Sequence, residues 1–233
     1  MQAASTLAPS SLAQWFAAGG TIAAVILALF KDAIIAWWRK PVLKATCDKE
    51  TPWTVKMPIV VHDGQGSVLW TGGCYYVRVK VENTGRTRAE KVQVGATNLA
   101  KRGLDGKFND IQTILPLNMK WANSPPTGAI VVLDGISPKM SAFCDIASLC
   151  NPANPHQRKP AGTPASTTVG QLQLEVDLFT EWHLLSPGTY KLTLRIAAAN
   201  AEPIDKVFVF EHKGNWLTKD ADMRRDCLAV SLE

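Results

Sequence analysis

The side chains best equipped for chemistry in this chain are five cysteines (Cys47, Cys74, Cys144, Cys150, Cys227) and four histidines (His62, His156, His183, His212). Their spacing argues against a metal centre: no two cysteines form a Cys-X-X-Cys pair, and no two histidines have the spacing of one helix face. Glu181 and His183 meet Glu211 and His212 only if their flanking strands are neighbours, and polar residues at strand ends are ordinarily just solvated. Nucleotide and hydrolase chemistry lack their motifs too: there is no Gly-rich phosphate loop ending in Lys-Ser/Thr, no Gly-X-Gly-X-X-Gly and no Gly-X-Ser-X-Gly. The chain therefore predicts no enzyme, no cofactor and no metal.

Recognition chemistry is better represented. Eight tryptophans are many for 233 residues. Trp15, Trp37 and Trp38 suit a membrane interface, which leaves Trp53, Trp70, Trp121, Trp182 and Trp216 either to wedge between sheets or to anchor a sugar or protein partner. Residues 116–121, PLNMKW, join amide, cation and indole in one short segment. Asn118, Lys120 and Trp121 are the candidate binding patch.

The elements that must carry these residues begin with an anchor. Residues 1–30 contain no Asp, Glu, Lys, Arg or His, and residues 12–30 read LAQWFAAGGTIAAVILALF. Nineteen helical residues span about 28 Å, close to the hydrocarbon thickness of a bilayer. Apolar character resumes after Lys31 and Asp32, so the expected transmembrane helix covers residues 12–38 and makes the bilayer its first partner. A short extracytoplasmic tail, residues 1–11, precedes it. All nearby cations, Lys31, Arg39, Lys40 and Lys44, follow the apolar run, which argues against a cleaved signal peptide and places the C-terminal side in the cytoplasm, at the inner membrane. In that reducing compartment the cysteines are free thiols; on the opposite side Cys144 and Cys150 are the candidate disulfide. Ala17, Gly20, Thr21, Ala24 and Ala28 give the helix one face of small residues, a candidate helix-helix contact for a homo-oligomer.

After the anchor the apolar period changes from helical to alternating. Tyr75, Val77, Val79 and Val81 alternate with Tyr76, Arg78, Lys80 and Glu82; Leu172, Leu174, Val176 and Leu178 alternate with polar residues, and so do Tyr190, Leu192, Leu194 and Ile196. Asn83-Thr84-Gly85 and Ser186-Pro187-Gly188 supply turns, and a strand through residues 89–96 places Val92 and Val94 on one face. Weaker strand runs cover residues 41–47, 59–61, 67–71, 129–133, 206–210 and 227–232. Residues 151–168, NPANPHQRKPAGTPASTT, read as a mobile loop inserted in one domain, and residues 215–226 as one or two helical turns. The expected fold is mainly β: an antiparallel immunoglobulin-like β-sandwich of seven to nine strands over residues 39–233, preceded by one N-terminal transmembrane helix. The net charge of +5 falls to +3 once residues 31–40 are set aside, too little for a nucleic-acid partner.

The membrane helix ending in Trp-Trp-Arg-Lys-Pro, followed by VRVKVENTGRTRAEKV from Val77, resembles uncharacterised bacterial membrane-anchored proteins. The strand-turn-strand piece over residues 77–94 is similar to immunoglobulin-like domains of the CARDB kind. Residues 115–123, Phe143-Cys144-Asp145 and the stretch from Pro187 to Ala201 look similar to the same bacterial group. The resemblance implies a tethered sandwich and transfers no catalytic residue. Together these observations predict a signal-anchored, non-enzymatic module at the cytoplasmic face that binds a protein or a small signalling ligand. Two alternatives stand beside it: an extracytoplasmic glycan- or envelope-binding module, and an oligomerising membrane effector of a bacterial defence or signalling system.

Overall fold

A computed structural model describes residues 10–111, 113, 115–124, 128–176 and 178–233. The expected tail, residues 1–11, lies almost wholly outside the described residues. The chain divides into two compact units, Met1–Lys40 and Pro41–Glu233.

The first unit carries one helix, α1 (Ser10–Arg39), whose 30 residues run about 45 Å. Its stretch Gln14–Asp32 has a mean hydropathy of 1.4 with no part buried, so by length and composition it suits a bilayer crossing. Within it the Thr21 hydroxyl donates to the Ala17 carbonyl at 2.9 Å, satisfying a polar group that lipid would leave bare. Gly20, Ala24, Ala28 and Ala17 are exposed.

The second unit is built from strands: β1 (Leu43–Thr46), β2 (Thr54–His62), β3 (Val68–Asn83), β4 (Ala89–Arg102), β5 (Phe108–Asp110), β6 (Leu117–Asn118) and β7 (Lys120–Trp121). There follow β8 (Val132–Ile136), β9 (Ser141–Cys150), β10 (Gly170–Leu172), β11 (Leu184–Leu185), β12 (Gly188–Ala198), β13 (Ala201–His212) and β14 (Leu228–Leu232). A short helix, α2 (Asp220–Asp222), runs into a π-helical turn before β14, where one or two helical turns were expected.

Every pairing is antiparallel, and the strands form two sheets. The first runs β1-β3-β9-β10-β11, with β2 also on β3 and β7 also on β9; the second runs β14-β13-β12-β4-β5, with β6 and β8 also on β4. The strands outnumber the expectation because the long β3, β4 and β9 each bind several short partners along one edge. Inward residues of both sheets, among them Val77, Val79, Ile146, Val94, Leu192, Leu194 and Phe208, form one buried core, as the two-residue period requires. A mainly antiparallel β-sandwich with an N-terminal apolar helix is therefore the fold.

Two local findings differ from the sequence reading, and a third gives the course of the expected loop. β9 had no alternating signal, because its residues are buried on both faces from Cys144 to Leu149 and a bulge at Ile146 resets the alternation. The patterned run over residues 171–178 is a strand only through Leu172: Leu172 and Leu174 point inward, but beyond Gln173 the chain pairs only through an isolated Met119–Leu174 bridge, and Asp177 lies outside the described residues. Residues 151–168 form successive turns hydrogen-bonded back to the sandwich, with Gln157 Nε2 donating to the Val169 carbonyl at 2.9 Å and Thr168 N to the Gly214 carbonyl at 2.8 Å.

Candidate binding cleft

Alternation sends Tyr76 and Arg78 of β3 to the outer face of the first sheet. On the neighbouring strand β9, unbroken alternation from Ser148 would put Ile146 outward and Asp145 into the core. The extra residue at Ile146 corrects this: Val77 pairs with Ala147, Arg78 pairs with Asp145, and Asp145 turns outward. Arg78 Nε then donates to Asp145 Oδ1 at 2.7 Å, with side chains only 13% and 12% exposed.

The floor continues across the sheet. Gln173 Nε2 donates to Ser148 Oγ at 2.8 Å, and Lys120 of β7 pairs with Asp145 in the ladder. Arg78 also lies over the Tyr76 ring, 6.0 Å from its centroid. One rim is β2, through Met57, Pro58 and Ile59; the other is the segment after β7, with Asn123, Ser124 and Ala129. That second rim is tied down: Ser124 Oγ donates to the Trp121 carbonyl at 2.6 Å and accepts from Ile130 N at 2.9 Å, and Asn123 turns the chain with φ of 63°, a conformation Asn tolerates. Residues 125–127 of this segment lie outside the described residues. The result is a concave cleft of about 420 Å³ on a sheet face that would otherwise be flat.

Burial pushes the Asp145 carboxyl above the usual carboxylate range, outweighing the opposing pull of the Arg78 guanidinium. Burial, and then the Asp145 charge, push the Tyr76 hydroxyl up as well. The cleft thus holds a partly desolvated ion pair with donors and acceptors around it, an arrangement that binds polar groups.

Of the three residues of the candidate patch, Lys120 and Trp121 line the cleft and Asn118 does not. Asn118, on β6 in the second sheet, is half-buried and donates through Nδ2 to Glu175 Oε2 at 3.2 Å. Lys120 reaches the cleft. Trp121, 2% exposed, packs in the core, contributes to the cleft lining and donates through its indole to the Val131 carbonyl at 3.1 Å. The crossing from one sheet to the other between Asn118 and Lys120 separates Asn118 from the other two. Arg78, Asp145, Tyr76 and Gln173 were not singled out by sequence: each occupies an ordinary outward position, and only strand register brings them together.

Trp182 and Trp216 follow the packing reading, whereas Trp53 and Trp70 are half-buried outside the core cluster. Trp182 and Trp216 pack partly buried against the core, Trp216 lies 5.4 Å from the Tyr75 ring, and the Trp70 ring sits against Gly72, where a Cβ would come within 2.1 Å of it.

The cysteine expectations need correction. Cys74 and Cys150, directly opposed on β3 and β9, are joined by a disulfide, so Cys150 does not pair with Cys144 and not all five cysteines are free. Cys144 points into the core, where burial raises its thiol well above the ordinary range. Burial likewise pushes Cys47 up to about 12. Glu181 accepts from Ala161 N at 3.3 Å, Glu211 from the Thr189 hydroxyl at 3.2 Å, and the buried His212 donates through Nε2 to the Leu185 carbonyl at 2.9 Å. Among the described residues no three His, Cys, Asp or Glu side chains are grouped to hold a metal ion.

Comparison of the chain with protein-family models, curated proteins and solved structures finds no match.

Proposed function

We propose that this protein is a membrane-tethered, non-enzymatic binding module, with an immunoglobulin-like sandwich at the cytoplasmic face and a ligand site in the cleft over Arg78 and Asp145. The observation that carries the reading is the buried ion pair at the floor of an open cleft. A half-desolvated charge pair is a weak source of stability, since its desolvation cost offsets its Coulomb gain, whereas convergent polar groups in a concavity suit recognition. The resemblance to anchored bacterial proteins of the CARDB kind supports the same reading. The cytoplasmic side is favoured by Lys31, Arg39, Lys40 and Lys44, all C-terminal to the apolar run.

The test is to purify the full chain from its membrane and compare small molecules and proteins retained by the wild type and by Ala129→Trp, which fills the cleft from its rim. A species retained only by the wild type supports the reading. Identical retention by both, with both folded, overturns it.

A second reading puts the sandwich outside the cytoplasm, binding glycans or other envelope components, and the Cys74–Cys150 bond favours it, because disulfides persist in oxidising compartments. In the cytoplasmic reading the same residues stand as opposed thiols. The β3–β9 ladder runs through eight further residue pairs and does not depend on the bond. The third alternative, an oligomerising effector, draws on the small-residue face of α1 and predicts that Gly20→Leu abolishes association.

A further inference from the structure

The Arg78–Asp145 pair is held by one hydrogen bond, from Nε to Oδ1 at 2.7 Å. It lacks the two-bond fork of the exposed Arg195–Asp205 pair, where Nε and Nη2 each donate at 2.8 Å. Among the described residues, Asp145 Oδ2 and the two Arg78 Nη groups take no hydrogen-bond partner, and none of these atoms is sealed from solvent. Both side chains line the cleft. An open acceptor and open donors therefore stand side by side on its floor.

Their positions are set by the sheet. Arg78 and Asp145 are opposed in the β3–β9 ladder, so their side chains leave the same face as neighbours. The guanidinium also lies over the ring of Tyr76, two residues back on that face, which restricts it further. Gln173 spends Nε2 on Ser148 Oγ at 2.8 Å and on the Gln171 carbonyl at 3.4 Å, which leaves Oε1 as a second acceptor in the lining. Little ordering cost then remains for a ligand to meet.

The two opposite charges select against a charged ligand group. A carboxylate brought to the Nη groups meets the Asp145 charge, and an amidinium brought to Oδ2 meets the guanidinium, so each attraction is opposed by a like charge at the next atom. A carboxamide carries no net charge and presents a carbonyl acceptor beside an N–H donor. Laid across the pair, its carbonyl accepts from Arg78 and its N–H donates to Asp145, and one planar group satisfies both. The rim formed by Met57, Pro58 and Ile59 supplies apolar surface beside it.

We propose that the cleft over Arg78 and Asp145 binds a small neutral ligand through a carboxamide group, with the apolar body of the ligand against Met57, Pro58 and Ile59. This assignment rests on the cleft being the ligand site and adds the group that it recognises.

The test uses three probes of one shape: benzamide, benzoate and benzamidine as its cation. Each is titrated at neutral pH into the full chain in phosphatidylcholine nanodiscs and followed by saturation-transfer NMR, with empty nanodiscs subtracted. Benzamide should saturate, and should bind about tenfold or more tightly than either charged probe. Ala129→Trp, which fills the cleft, and the double variant Arg78→Met/Asp145→Val should each abolish that binding. Asp145→Val alone, which leaves an unopposed guanidinium, should transfer the preference to benzoate; the double variant keeps the test decisive if this single variant does not fold. Equal binding of the three probes, tighter binding of a charged one, or benzamide binding that survives the double variant would each overturn the proposal. A species retained by the wild type, lost in Ala129→Trp and free of any carboxamide would also overturn it, while leaving the cleft reading in place. If neither a probe nor a retained species distinguishes Ala129→Trp from the wild type, the cleft reading itself falls, and the carboxamide site with it.

Discussion

Arg78 and Asp145, 67 residues apart in sequence, meet at 2.7 Å because one extra residue in β9, Ile146, turns Asp145 to the outer face of the sheet. Removing one partner leaves the other charge poorly hydrated in the cleft. Arg78→Met and Asp145→Val should therefore each destabilise the protein by about 3 kcal/mol, while the double variant should stay within about 1 kcal/mol of the wild type. Urea unfolding of the four proteins, read as a double-mutant cycle, checks this. Ligand retention should be lost in all three variants, so the double variant separates binding from folding.

Asn83 is fully buried and makes four hydrogen bonds: its Oδ1 accepts from Val42 N and Gly85 N, and its Nδ2 donates to the carbonyls of Thr87 and Ile136. It ties the start of β1, the turn after β3 and the end of β8 to one point. Asn83→Ala strands all four backbone groups and should cost about 3–5 kcal/mol, a fall in Tm of roughly 10 °C. Calorimetric melting measures it, and a shift below a few degrees would refute the assigned role.

His212 sits in the core with its pKa lowered to about 4, chiefly by burial, with the Lys101 charge adding to it. The unfolded chain takes up a proton below its ordinary value of about 6.5, and the folded chain does not until near 4. Stability from this group is therefore complete above about pH 6.5 and falls as pH drops toward 4, by roughly 3 kcal/mol in total. His212→Gln should flatten that slope, which urea midpoints at neutral pH and across the acid window will report.

β3 and β12 could be read from the chain because their inward and outward residues alternate without a break where they were read, and β4 could be read from Val92 onward although Lys91, with φ of 52°, interrupts the alternation after Ala89. β9 could not, since both its faces are covered and its bulge shifts the period by one residue. The run over residues 171–178 misled for the opposite reason: its side chains alternate, but beyond Leu172 the chain meets residues 118–120 through isolated bonds rather than a continuous ladder. Of the cleft, Lys120 was visible as a cation in an unusual segment. Arg78 and Asp145 look like ordinary exposed charges until strand register is known.

The account rests most directly on a sandwich tethered at the cytoplasmic face, and C-terminal fusions of a fluorescent protein and of alkaline phosphatase after Glu233, in living bacteria, test that directly. The account predicts fluorescence without phosphatase activity, with Cys74 and Cys150 recovered as thiols that alkylate on unfolding without prior reduction. Phosphatase activity without fluorescence, with both cysteines protected until reduced, would contradict it and place the cleft among the envelope components.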